Sequence, residues 1–498
     1  MNKPDDLQIW QARARQLKLN TRALIDGQWV DGEAEPMDAI NPADGTSLGR
    51  VSACSETDID RAVQSARRAF NTGIWSGLPR AERKKRLLKL SALILEHGDE
   101  LALIETLNMG KPISDTLAYD IPEVARTYAW YAETIDKQYD EIAPTDANSL
   151  ATITREPLGV VAAVVPWNYP LLMATWKVAP ALAAGNSVIL KPAEQSPLTA
   201  IKLGELALEA GIPPGVLNIV PGTGPVAGQA LGMHMDVDCL SFTGSTATGK
   251  RFMQYSGQSN LKQIWLECGG KSPHIIFDDC PDLDRAALAA AIGIFNNQGE
   301  VCIAGSRLYV QSGIYDQFLE KVEACARGMQ PGNPLDPGSL MGAIVDERQL
   351  ARVMHYIESG KNEGATLRMG GGQARSETGG YYVEPTIFEC SNQALTIVRE
   401  EIFGPVLAVS RFDTEEEALA QANASMYGLG AGLWTANLSR AHRVSRKLHA
   451  GLVWVNCYFD GDVTVPFGGV KQSGFGRDKS LHALDKYSSL KTTWINLG

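Results

Sequence analysis

Cys302 stands in the run NQGEVCIAGSR (residues 297–307), a thiol among polar and small residues with a carboxylate, Glu300, two positions before it. A structural cysteine normally keeps apolar neighbours at helix or strand spacing, as Cys325 does in KVEACARGM. This texture therefore leaves Cys302 open between a reactive thiol and a small core residue. Its one rival is Cys268, which sits between Glu267 and Gly269-Gly270. The eight cysteines are spread singly, without a Cys-x-x-Cys pair or a nearby Cys/His cluster, so neither structural zinc nor a disulfide framework is expected. A second set of residues suits a nucleotide. In FTGSTATGKRF an apolar run enters Gly244-Ser245 and then a helix, whose first amides and dipole favour a pyrophosphate; an ordinary N-cap uses the same residues. In VILKPAEQSP, Lys191 and Glu194 follow a strand end, where an acid accepts from both hydroxyls of an adenosine ribose and repels a 2′-phosphate. NAD is expected over NADP, against the alternative of a solvated ion pair. The usual Gly-x-Gly-x-x-Gly spacing is not met, since Gly222, Gly224 and Gly228 lie one residue too wide.

These residues need a scaffold, and the chain is long enough for two or three domains at 498 residues. With 44% hydrophobic and 21% charged residues it has the composition of a fully folded protein, and a net charge of −11 argues against nucleic acid as a partner. The start mixes acids and bases without a signal-like apolar run, and nowhere are there 18 consecutive uncharged apolar residues; no membrane span and a cytoplasmic location are expected. ALIDGQWVDG predicts a hairpin around Asp26-Gly27, Ser55 caps a predicted helix, and two more helices are expected on either side of His97-Gly98. From Gly159, short apolar runs recur every roughly 25 to 30 residues (GVVAAVVPWN, NSVILKPA, GVLNIVPG, CLSFTGS), which predicts a parallel, doubly wound sheet with its chemistry in the loops after the strands. A further α/β unit is expected beyond residue 269, including a long helix-rich stretch up to Gly364. The alternating runs at 147–157 and YSSLKTTWIN are expected to pair away from both main sheets.

Along the chain, WNYP, KPAEQSP, FTGSTATG, LECGGKSP, NQGEVCIAGSR, EEIFGPV and PFGGVKQSGFGRD occur in an order that resembles the NAD(P)-dependent aldehyde dehydrogenase superfamily. The likeness runs from LIDGQWVDG to KTTWIN. It implies an α/β fold of three parts: a Rossmann-like cofactor domain (residues 1–130 and 153–268), a second α/β catalytic domain (269–482), and a small β oligomerisation flap (131–152 and 483–498) in a homodimer or homotetramer. It implies Cys302 as nucleophile, Asn168 with the Cys302 amide as oxyanion donors, and Glu267 as the base that hydrolyses the thioester. The cofactor ligands implied are Trp167, Lys191, Glu194, Gly244, Ser245, Gln349, Glu401 and Phe403, with Glu400 structural or solvated. Lys177 and Asp478 match positions proposed to relay protons, although many relatives carry Glu where Asp478 stands.

For the substrate, a small aldehyde, the resemblance implies a slot lined by Tyr169, Met173, Trp176 and Phe467. Asn296 replaces an aromatic residue of many relatives, which points to a polar aldehyde. Asp460 and Asp462 lie in a loop that in the family meets the far end of the substrate; they either pair with a cationic tail or simply build an Asp-Gly turn. Glu300, often Gln in relatives, is expected to face outward. The C-terminal run is similar to enzymes that oxidise γ-glutamyl-γ-aminobutyraldehyde in putrescine breakdown, and to relatives acting on aminobutyraldehyde or guanidinobutyraldehyde. Betaine aldehyde and a broad substrate range are alternatives. Retention of Glu267 favours hydrolysis over release to CoA, and the presence of Cys302, Glu267 and Asn168 together argues against a catalytically silent relative.

Overall fold

The computed structural model describes residues 7–498, so the first six residues of the expected cofactor domain lie outside the described residues. The four apolar runs form strands Val160–Val164, Ser187–Lys191, Leu217–Ile219 and Cys239–Thr243, every residue of them buried. With Gln263–Glu267 they make the parallel centre of an eight-stranded sheet. Across it the strands run third, second, first, fourth, fifth in chain order, with antiparallel strands at both edges. Alternate residues serve two cores. Val161, Ala163, Val188 and Leu190 pack with Leu171, Leu182 and Leu203, whereas Val160, Ala162, Ile189 and Leu240 pack with Ile59, Val63 and Ala66. Burial on both faces explains why these strands read as continuous apolar runs.

The local signals before this sheet act as expected. Asp26 and Gly27, both at positive φ, turn the hairpin Ala23–Ile25 to Gln28–Val30. Ser55 and Asp58 form a reciprocal capping box on helix Glu56–Asn71. Helices Arg80–Glu96 and Gly98–Met109 meet at His97.

A second, seven-stranded sheet carries six parallel strands and one antiparallel edge. The helix-rich stretch expected up to Gly364 begins only at Glu347, capped by Asp346, because Pro331, Pro334 and Pro337 with their neighbouring glycines break the segment before it. The two alternating runs pair as expected: Ser149–Pro157 and Ser488–Asn496 lie antiparallel in a three-stranded sheet separate from the other two. The expected boundary at 152/153 falls inside this strand, and the one at 130/131 inside helix Ile121–Thr134; the alternation continues to Pro157 and the helical pattern to Thr134. Among the described residues no helix is long and apolar enough to cross a membrane.

Candidate active site

The two large sheets face each other across a cavity of about 500 Å³. The first sheet presents the loops after its strands at the point where strand order reverses: Trp167-Asn168 after Val160–Val164 and Gly244-Ser245 after Cys239–Thr243. Doubly wound sheets bind ligands in this crevice. The second sheet presents the loops that enter its strands, with Cys302 before Arg307–Gln311 and Glu401 and Phe403 before Val406–Phe412.

Cys302 reaches the cavity through a strained turn. Helix Leu283–Phe295 stops, and Asn297, Gln298 and Gly299 follow with φ of 48°, 56° and 72°. A Cβ on Gly299 would lie 2.2 Å from the Gly404 carbonyl oxygen, so only glycine fits there. The two side chains before it hold the turn. Asn297 Nδ2 donates to the Asn168 and Glu300 carbonyls at 3.1 and 3.2 Å, while Gln298 donates to Ala343 O and accepts from Gly342 N. Asn168 Nδ2 donates to Glu300 O at 2.7 Å, which fixes its amide beside the thiol and leaves its second N–H for another acceptor. Burial, reinforced by Glu401 and Glu267, pushes the Cys302 thiol up to about 12.

Glu267 ends strand Gln263–Glu267 against Gly474. It is buried, and neither carboxylate oxygen has a hydrogen-bond partner. Burial and the nearby Asp478 raise its carboxyl well above the ordinary range, against the pull of Lys486, Lys177 and Arg477. Lys177 and Asp478 meet at 3.0 Å, and Lys486, which no motif pointed to, holds the other Asp478 oxygen. Burial would raise Asp478, but Lys177 and Lys486 outweigh it and hold the carboxyl below its ordinary value.

On the cofactor side, Lys191 is buried with its ammonium 3.8 Å from Glu194, whose other oxygen accepts from Gly224 N. Ser245 caps helix Thr246–Gln258 by accepting from Thr248 N, so the N-cap reading holds while Gly244 and Ser245 still line the cavity. Trp167 and Phe403 pack edge to face at 5.2 Å. Gln349 lines the cavity but donates to Phe403 O at 2.7 Å, so in this state it braces the backbone of Phe403, which is at positive φ. Glu401 accepts from Gly270 N at 2.8 Å, and burial pushes it up to about 7; a Cβ on Gly269 would lie 2.1 Å from its other oxygen. Glu400 is exposed and accepts from the Tyr356 hydroxyl. An ion pair at a strand end, a helix start at the strand-order reversal and an aromatic pair lining the same cavity as the thiol together fit a dinucleotide. Among the described residues no group of three or more His, Cys, Asp or Glu is arranged to hold a metal.

Tyr169, Met173, Trp176 and Phe467 all line the cavity, the last two tilted against each other at 4.9 Å. Asp460 does not. It is exposed, and its carbonyl accepts from Trp454 Nε1, while Asp462 spends its carboxylate on Thr464; this loop is a turn that stabilises itself. Besides Glu401, the acids that reach the cavity are Asp115 and Asp120, from a segment without a motif. Asp120 pairs with Lys111, whose ammonium lies 3.6 Å over the Tyr169 ring, and Asp115 accepts from Asn296 Nδ2 at 3.2 Å. Glu300 does not face outward: it is buried and accepts from Val345 N at 3.1 Å. It therefore supports the cysteine loop from behind, because the buried Val345 amide needs an acceptor.

Residues 29–493 match the aldehyde dehydrogenase family. The chain is 52% identical, over 99% of both chains, to the NADP/NAD-dependent aldehyde dehydrogenase PuuC of Escherichia coli (strain K12). Among solved structures it is similar to the gamma-glutamyl-gamma-aminobutyraldehyde dehydrogenase of Burkholderia cenocepacia J2315, with 57% identity and a TM-score of 0.97 over 99% of this chain and 100% of that one. It is also similar to the P. syringae indole-3-acetaldehyde dehydrogenase AldA in complex with NAD+ and IAA, with 55% identity and a TM-score of 0.98 over 99% of both. The chain belongs to the aldehyde dehydrogenase family and has its fold.

Proposed function

We propose that this enzyme oxidises an aldehyde bearing a polar or cationic tail to its carboxylic acid, with γ-glutamyl-γ-aminobutyraldehyde or a related aminoaldehyde as substrate and NAD as the preferred cofactor. The observation that carries this reading is a cavity lined by Cys302, Asn168, Asp115 and Asn296, with the partnerless carboxylate of Glu267 buried directly behind the lining residues Cys268 and Gly269.

Cys302 sulfur attacks the aldehyde carbonyl, and the oxygen that gains charge is held by the free Asn168 N–H and the Cys302 backbone amide. A thiol held near 12 must give up its proton as it attacks, and Glu401, the carboxylate that lines the same cavity, is the group placed to take that proton and leaves Glu267 free for the later step. NAD, held by Lys191, Glu194, Gly244, Ser245, Glu401 and Phe403, would supply the hydride acceptor for oxidation of the hemithioacetal carbon. Glu267 then takes a proton from the water that hydrolyses the thioester, a role suited to a buried carboxyl whose affinity for a proton is raised well above the ordinary carboxylate range. Glu194 disfavours a 2′-phosphate, so NADP is used less well.

Asp115 supports the tail assignment in place of Asp460 and Asp462. The aromatic lining from Tyr169, Trp176, Phe459 and Phe467 favours a second reading, an aromatic aldehyde such as indole-3-acetaldehyde. NADH production with γ-glutamyl-aminobutyraldehyde, aminobutyraldehyde, guanidinobutyraldehyde, betaine aldehyde, indole-3-acetaldehyde and propanal, each with NAD and NADP, separates them. Highest kcat/KM on indole-3-acetaldehyde would replace the aminoaldehyde reading, and NADP turnover equal to NAD would discard the cofactor preference. The exposed apolar face of the three-stranded sheet supports a homo-oligomer.

A further inference from the structure

Behind Glu267 lies a buried group of charges. Asp478 engages two cations at once, with Oδ2 accepting from Lys177 Nζ at 3.0 Å and Oδ1 from Lys486 Nζ. Lys177 comes from helix Pro170–Ala184, and Lys486 ends the short helical turn Leu481–Lys486 before the last strand. Glu267, Asp478, Lys177 and Lys486 are each at most 4% exposed. The other groups that face them are Arg477, the phenols of Tyr131 and Tyr487, and the thiols of Cys239, Cys268 and Cys302. Arg477 is partly exposed, and its guanidinium is bonded to the Gly469 and Gly476 carbonyls.

Asp478 is already neutralised by Lys177. Were Lys486 absent, an ionised Glu267 would be a second buried carboxylate facing a single buried ammonium, and its charged form would be disfavoured further. With Lys486 the group balances at two carboxylates and two ammoniums. The geometry keeps that ammonium in place: the Lys486 stem lies 3.2 Å from where a Cβ on Gly476 would stand, and its carbonyl accepts from Trp265 Nε1 at 3.2 Å.

We propose that Lys486 is a positioning residue for the hydrolytic half of the reaction, supplying the second buried positive charge that eases ionisation of Glu267. This rests on the reading of Glu267 as the base. In that step water loses a proton to Glu267 as its oxygen bonds to the thioester carbonyl. The C–S bond then breaks, the acid product leaves, and Glu267 returns the proton to the Cys302 thiolate.

The test compares Lys486→Met, Lys486→Gln, Lys486→Arg and Glu267→Gln by first-turnover and steady-state NADH production across a pH series, with melting temperatures as the folding check. Lys486→Met and Lys486→Gln are expected to move the acid limb of steady-state kcat up by about one pH unit. Below that limb the acylated enzyme should accumulate, with a burst of NADH followed by turnover about tenfold slower than wild type, and Lys486→Arg should return the limb toward its original place. An acid limb that stays put in both neutral variants, whatever their melting temperatures, overturns the proposal, and so does an equal shift in Lys486→Arg. Wild-type hydrolysis in Glu267→Gln would instead remove the base assignment itself, independently of the lysine variants.

Discussion

Two ionisable residues set what the cavity can do, and each has a testable pH signature. Glu267 serves as a base only when ionised, and its carboxyl is raised by burial and Asp478. Turnover should therefore be lost as pH falls through a value above the ordinary carboxylate range, an acid limb read from kcat; a limb at ordinary carboxylate pH would assign the base elsewhere. Burial pushes Asp115 up to about 6, so it is neutral below that value and anionic above it. Recognition of a cationic tail is then gained as pH rises through about 6, and kcat/KM for aminobutyraldehyde should climb there relative to propanal. Asp115→Asn should erase that step and cost the cationic substrate about tenfold; an unchanged substrate ratio would remove Asp115 from recognition. Cys302→Ala should lower NADH production by at least about a thousandfold, because Cys302 is on the loop to which the Asn168 amide is bonded, an arrangement Cys268, the other thiol at the cavity, does not share. Substantial residual activity would contradict the nucleophile assignment.

At the scale of elements, the turn Asn297–Gly299 is the strained part. Three successive residues at positive φ are held by the Asn297 and Gln298 side-chain bonds, and Gly299 lies against the Gly404 carbonyl. Gly299→Ala should cost about 1–3 kcal/mol, read as a lower melting temperature, and should reduce kcat beyond that loss by displacing the thiol. Wild-type kcat and melting temperature together would mean that the turn relaxes freely. The turn was not legible as such, since NNQG reads as the end of a helix until the loop 400–405 packs on it. The strands, the capped helices and the hairpin were legible, because capping, alternation and apolar runs are local signals that tertiary packing here reinforces.

For the whole molecule, the three-stranded sheet leaves Leu490, Trp494 and Ile495 exposed on a long strand. Such a surface calls for a partner, and Leu490→Glu with Trp494→Glu should yield a smaller species by size-exclusion chromatography with light scattering. An unchanged mass would place any subunit contact elsewhere. The same C-terminal segment pairs with the first sheet through Gly474–Phe475, beside Glu267, so that Asp478, Lys486 and the last strand come from one stretch of chain, while Glu267 and Lys177 are brought to it from the cofactor domain.

By itself the sequence determined the four central strands and the parallel, doubly wound sheet they form, and it singled out Cys302, Asn168, Glu267 and the cofactor loops as candidates, because these depend on contiguous patterns and on motifs that keep their spacing. Only the tertiary structure decided which acids line the cavity and where Glu300 points. Asp460 and Asp462 share a run with a recognisable motif but turn to solvent to satisfy their own loop, while Asp115 is carried into the cavity by the packing of a motif-free segment. Lys486 is likewise 219 residues from Glu267 along the chain. Electrostatic partnership depends on distance in space, and at that separation no local pattern encodes it.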